Sequence, residues 1–190
     1  TSRMNAMAGS LTSMAAGYLS IGAAIGIATS AFKAWGEQEQ ATLKIEATIK
    51  KLGATTDVTS KSAHEFADAY GRAFGFADEE VLNAERALMR FGVTSRTVLE
   101  QATSLSGDLA RELGIGIQEA AAMLGKSLQA PGEGMKALKS NGLDLSESMA
   151  DMAQAMADSG RTAEAQKLVM LALGAEIGGK AGSATGGVVG

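Results

Sequence analysis

The stretch SRTVLEQATSLSGDLARELGIGIQEAAAMLGKSLQAPG, from Ser95 to Gly132, decides the fold. Leu99, Ala102, Leu105, Leu109 and Leu113 recur at steps of three and four, the spacing that lines one face of an α-helix. Gly114 breaks the run and Ile115 follows, the pattern of a helix ending on a left-handed glycine with an apolar residue folding back. A second helical face then opens with Ile117, Ala121, Leu124 and Leu128, and Pro131 and Gly132 stop it. Ser95, just ahead of Val98, is placed to cap the first helix.

Outward from this stretch the same punctuation returns. It reads Leu52-Gly53-Ala54, Phe74-Gly75-Phe76, Phe91-Gly92-Val93 and Asn141-Gly142-Leu143. Asp78, ahead of Glu79 and Glu80, and Ser146, after Leu145, are read as further capping residues. Leu145, Met149, Met152 and Met156 form a third face, and Leu168, Leu171, Ala172 and Ala175 a fourth, after Gly160. The glycine spacings are unequal, which points to a bundle and not to a solenoid repeat. The expected architecture is all-α: a compact module of five or six short helices over 54–177, with a flexible Gly-rich tail over 178–190.

Composition narrows the function classes. The 190 residues contain no cysteine, which excludes disulfide scaffolds, thiolate metal sites and thiol catalysis. Seventeen Lys and Arg against 21 Asp and Glu, net charge -4, argue against a general phosphate-binding surface and against sequence-specific nucleic-acid recognition. One proline, 24 glycines and 4% aromatics suit helices that pack closely through small residues. Thr1 at one end and the small residues 182–190 at the other are read as marking a segment of a longer or processed polypeptide. No secretory signal is read at the amino terminus.

Residues 1–53 are expected to form a long helical segment, apolar and then amphipathic. No charge occurs from Met4 to Phe32. Met4, Met7, Leu11, Met14, Tyr18, Ile21 and Ile25, then Ala28, Phe32 and Trp35, alternate steps of three and four, the seam of a left-handed coiled coil. Such a helix would be roughly 48 Å long at about 1.5 Å per residue. Gly22 and Gly26 form a small-xxx-small pair for close helix packing. Three readings stand side by side: a core helix of a bundle, a self-associating seam with a trimer favoured, and a membrane-inserting span. After Gly36 the pattern becomes charged, with Ile45, Ile49 and Leu52 on one stripe ending at Gly53.

No motif read here carries catalysis. His64-Glu65-Phe66-Ala67-Asp68 has the first histidine and the glutamate of a zinc-protease helix, but Asp68 stands where the second histidine is needed. Gly174-Ala175-Glu176-Ile177-Gly178-Gly179-Lys180-Ala181 spells most of a phosphate loop, yet Ala181 lacks the magnesium-binding hydroxyl and a helix, not a strand, precedes it. It is read as a helix end running into the tail. Glu79 and Glu80 are first-turn charges that favour the helix dipole. Catalytic, cofactor and metal residues are all read as none.

The second half reads Leu128-Gln129-Ala130-Pro131-Gly132-Glu133-Gly134-Met135-Lys136-Ala137-Leu138, then Asn141-Gly142-Leu143. It continues through Gly160, Ala165-Gln166, a Leu-rich helix with Leu171 and Leu173, and the exit Ile177-Gly178-Gly179-Lys180-Ala181. In the order of these motifs it resembles tail-length tape measure proteins of long-tailed bacteriophages. The resemblance covers about residues 54 to 182, and Asn141 departs from the usual aliphatic or basic residue. It implies a non-enzymatic structural module of a chain that sets tail length during assembly and leaves the tube ahead of DNA. The implied setting is the tail lumen of the virion, with the host cytoplasm during assembly and the host envelope at infection. The implied partners are sister copies and the tail tube and tail-tip proteins, with an assembly chaperone and the host inner membrane as further candidates. A pore-forming helical domain, and an adaptor taking a partner helix against Met149, Met152 and Met156, are the competing functions.

Overall fold

The computed structural model describes residues 33 and 36–183. Among the described residues the chain is all-helical, without strands. It divides into two compact units, residues 1–40 and 41–190. Of the first, Lys33 and the helical residues 36–40 are described, and Lys33 Nζ lies 3.8 Å from Glu37 one turn on. The seam at Met4, Met7, Leu11, Met14, Tyr18, Ile21, Ile25, Phe32 and Trp35, and the pair Gly22 and Gly26, lie outside the described residues. No described helix is long and apolar enough to cross a membrane.

Helix α1 covers 36–52, and its part in the second unit starts at Ala41. A single 3-10 turn, Gly53–Thr55, follows. Then come α2 (Ser60–Phe74), α3 (Asp78–Arg90), α4 (Arg96–Leu113), α5 (Ile117–Gln129), α6 (Pro131–Ser140), α7 (Glu147–Asp158), α8 (Thr162–Ile177) and the short α9 (Lys180–Ser183). The compact unit is thus wider than 54–177 at both ends: Ala41 and Ile45 are buried in its core, as is Ala181 on α9. Seven helices, not five or six, lie within 54–177. Pro131 explains the excess, because it stops α5 and also serves as the first residue of α6, where its missing N–H costs nothing.

The glycines read as helix ends hold that role. Gly53, Gly75, Gly92, Gly114 and Gly142 all have positive φ, and Ile115 N–H reaches back to Ala110 O at 3.0 Å. The caps differ from expectation. Asp78 is the first residue of α3, with Ala77 at the N-cap, and Glu80 reaches back to accept the Ala77 N–H at 3.2 Å. Ser95 and Ser146 occupy N-cap positions, but neither hydroxyl caps its helix. Instead the Asp57 carboxylate, from the loop before α2, accepts the Arg96 N–H at the start of α4. A reciprocal box missed in the sequence opens α2: Thr59 Oγ1 accepts the Ser62 N–H and Ser62 Oγ accepts the Thr59 N–H, each at 3.0 Å.

Helix α5 is the axis, packing against α3, α4, α6 and α8. Around it Leu82, Leu88, Leu99, Leu109, Leu124 and Leu128 are fully buried, interleaved with buried Ala84, Ala102, Ala120 and Ala121. Two expected faces shift. On α7 the buried positions are Ala150 and Ala153, while Met152 is 51% exposed. On α8 the buried row is Ala165, Val169, Ala172, Leu173 and Ile177, while Leu171 is 60% exposed and Ala175 faces out. The run from Leu168 to Leu173 is apolar on every side, so its spacing could not pick the inward face.

With few large side chains, the helices close on one another at missing Cβ atoms. A Cβ at Gly134 would sit 2.2 Å from Ser127 Cα, and one at Gly125 would sit 2.2 Å from the Phe91 ring. Gly134→Ala is therefore expected to lower unfolding stability by about 1–3 kcal/mol in chemical denaturation. Gly116→Ala, with nothing within 4 Å of the added atom, meets no clash and should cost less, about 0.5–1 kcal/mol from the poorer N-cap alone.

Candidate functional site

The residues that carry the resemblance converge on the corner from α5 to α8. Leu128 and Leu138 are buried at 2% and 1%, Pro131 and Gly134 are buried at the start of α6, and Ala165 is buried on α8. Helix α5 ends at Gln129, leaving terminal carbonyls without helical partners. Gln166 fills one of them: its Nε2 donates to Leu128 O at 2.9 Å across 38 residues. Gly142 and Gly160 turn the chain with φ of 106° and 80°. The motif positions described in this corner have packing or backbone tasks.

The glycine-rich exit does something the sequence did not suggest. Gly178 ends α8 and Gly179 has φ 85°. The Gly179 and Ala181 N–H groups then donate to the two oxygens of Asp108 on α4, at 3.1 and 2.6 Å. A phosphate loop would offer such amides to a ligand; here an internal carboxylate takes them. Lys180 Nζ lies 2.9 Å from Glu112, one turn beyond Asp108. The phosphate-loop spelling is thus the seat of a chain exit, packed and not tail-like as far as Ala181.

His64 is also occupied by structural bonds. Its Nδ1 lies 2.7 Å from Ser60 O, which can only accept, so Nδ1 carries its proton, and Nε2 lies 3.0 Å from Thr42 Oγ1. Among the described residues no three His, Asp or Glu side chains cluster as a metal site.

The concavity of note is a groove of about 970 Å³ between α4 and α8. Val98 and Leu105 form one wall and Met170 and Leu171 the other, with Phe66 of α2 and the polar Gln101, Ser104, Gln166 and Lys167 around them. The methionines first read as a docking strip lie elsewhere. Met149 packs on the core, Met156 is half-buried, and Met152 stands in solvent.

No family model matches the chain, no curated protein is detectably similar to it, and no solved structure matches its fold.

Sequence reasoning missed two buried features. Phe66, Tyr70, Phe74 and Phe76, half of the chain's aromatic residues, cluster at the end of α2, with Tyr70 4.5 Å from Phe74 and stacked 5.9 Å from Phe76. Tyr70 Oη donates to Ser104 O at 3.2 Å, and Gly107 leaves room for it. Burial is the main cause that pushes the Tyr70 hydroxyl well above its ordinary value, with the Asp108 charge adding to it. The second feature is Glu85, 1% exposed on α3, whose Oε2 has no hydrogen-bond partner. Burial, assisted by the Glu100 charge, pushes its carboxyl up to about 9.

A raised carboxyl pKa makes the fold favour the protonated acid. The stability tied to Glu85 is fully present below the ordinary value of 4.5 and is lost as pH rises towards about 9. Denaturation midpoints of the wild type are expected to fall across that window. In Glu85→Gln the slope should flatten, with a gain on the order of 2–3 kcal/mol at pH 7.

Proposed function

We propose that the chain is a structural, non-enzymatic module of a tail-length tape measure protein of a long-tailed bacteriophage, housed in the tail lumen and ejected ahead of DNA. The observation that carries this reading is the ordered series Leu128, Pro131, Gly134, Leu138, Gly142, Gly160, Ala165, Gln166, Gly178 and Gly179. In the fold these residues build one continuous helical corner and its exit, which explains their order without any appeal to chemistry. The charge-free stretch from Met4 to Phe32 supports the same reading, as a seam for sister copies in a narrow tube and as a segment able to enter the host inner membrane.

A folded module of roughly 120 residues is about 30 Å across, too wide for several copies side by side in a narrow tube. The measuring state is therefore extended. In-frame deletion of residues 54–177 from the phage gene should shorten the tail by about 190 Å, at about 1.5 Å per helical residue. Unchanged tail length overturns the reading. A peptide of residues 1–52 should self-associate in solution and make lipid vesicles leak; if it does neither, both roles given to the first segment fall.

A second reading, an adaptor for a partner helix, is favoured by the α4–α8 groove, where Val98 and Leu171 remain in solvent. Leu171→Asp separates the two readings. It should leave folding intact, because the side chain is already exposed; an adaptor would lose its partner helix to the new charge, whereas a measuring module would keep its function and tail length.

A further inference from the structure

We propose that residues 178–183 form a releasable strap, latched to α4 by the Asp108 side chain, which opens while the rest of the bundle stays folded. The strap begins at a two-glycine hinge. Gly178 leaves α8 with an extended backbone, and Gly179 takes φ 85°, so the chain turns sharply there. Beyond the hinge is α9, four residues long, far below the length at which a helix holds itself together. It packs on α4 and reaches α2, and two successive acidic positions of α4 bond it. One Asp108 carboxylate accepts both backbone bonds, from Gly179 and Ala181, and Glu112 pairs with Lys180. Among the described side chains of the strap, the small Ala181 is buried, at 2% exposure.

The hinge separates this from the interior. Val169, Leu173 and Ile177 are sealed under α8 before the strap begins, and Leu124 and Leu128 lie on the central helix. Opening the strap gives up the two amide–carboxylate bonds, the Lys180 contacts and the packing of one four-residue helix on α4 and α2; opening α5 breaks the whole core. The two events differ greatly in cost, which is the condition for local opening ahead of global unfolding. Asp108 itself is 8% exposed, so water gains little access to it until the strap lifts.

Native-state hydrogen exchange on the full 190-residue chain tests the latch. The Gly179 and Ala181 amides should exchange at least about 100-fold faster than those of Leu124 and Leu128, by an opening insensitive to low denaturant. Asp108→Ala should strip protection from Gly179 and Ala181 while leaving Leu124 and Leu128 as they were, and Asp108→Asn, which keeps one acceptor oxygen, should fall between. The proposal is overturned if all four amides in the wild type open together with the denaturant dependence of global unfolding. It is also overturned if Asp108→Ala lowers all four by the same factor. The wild-type measurement decides even if the variant does not fold, and neither result depends on the tail-length deletion.

Discussion

The fold depends on backbones coming close. A chain with 24 glycines and only 4% aromatic residues has few large side chains to fill space between helices set at ordinary distances. It compensates where Cβ atoms are missing: α6 lies on α5 at Gly134, the Phe91 ring lies on α5 at Gly125, and Tyr70 enters α4 at Gly107. Interiors pack at crystal-like density, so such contacts leave little room for adjustment. Alanine does the rest, filling the gaps between leucines around α5. The geometry follows from the composition, since dispersion contacts fall off steeply with even small gaps.

Two acids in the same bundle illustrate how differently a buried carboxyl can be used. Asp108 meets two backbone donors, and its burial organises a segment more than seventy residues away in sequence. Glu85 is more deeply buried, and one of its oxygens meets none; Thr103 Oγ1 and Arg86 Nε are likewise unpartnered among the described residues. Leaving such groups unpaired costs stability. The first acid adds order at the exit of the chain, while the second subtracts stability from the α3 region.

Much of the architecture was legible because periodicity and punctuation agree. Leu99 to Leu113 and Ile117 to Leu128 have one apolar face each; a glycine with positive φ, Gly114, ends the first, and Pro131 stands just past the end of the second. Legibility failed where pattern carried no direction. On α8 six consecutive apolar residues gave no preferred side, and on α7 the buried positions are Ala150 and Ala153, with Met149 packed against the core and Met152 in solvent. The capping of α4 by Asp57 and the seating of Gly179 on Asp108 were invisible, since each joins residues far apart in sequence. The candidate site was legible as an ordered set of positions, but not as a set of contacts such as Gln166 to Leu128.

The two loops that flank the α2–α3 pair are tied together. Thr56 Oγ1 donates to Thr94 O at 2.6 Å, Asp57 holds the Arg96 amide, and Thr56 Oγ1 also accepts the Val58 N–H at 3.1 Å. The pair is therefore a loop cinched at its base, independent of the covalent turn over residues 75–77 at its far end. A protease cutting that turn would leave two fragments still knotted by side chains and by the packing of α2 on α3. The connectivity of this part of the molecule is doubled, once through the backbone and once through two oxygen-mediated stitches, Thr56 to Thr94 and Asp57 to Arg96.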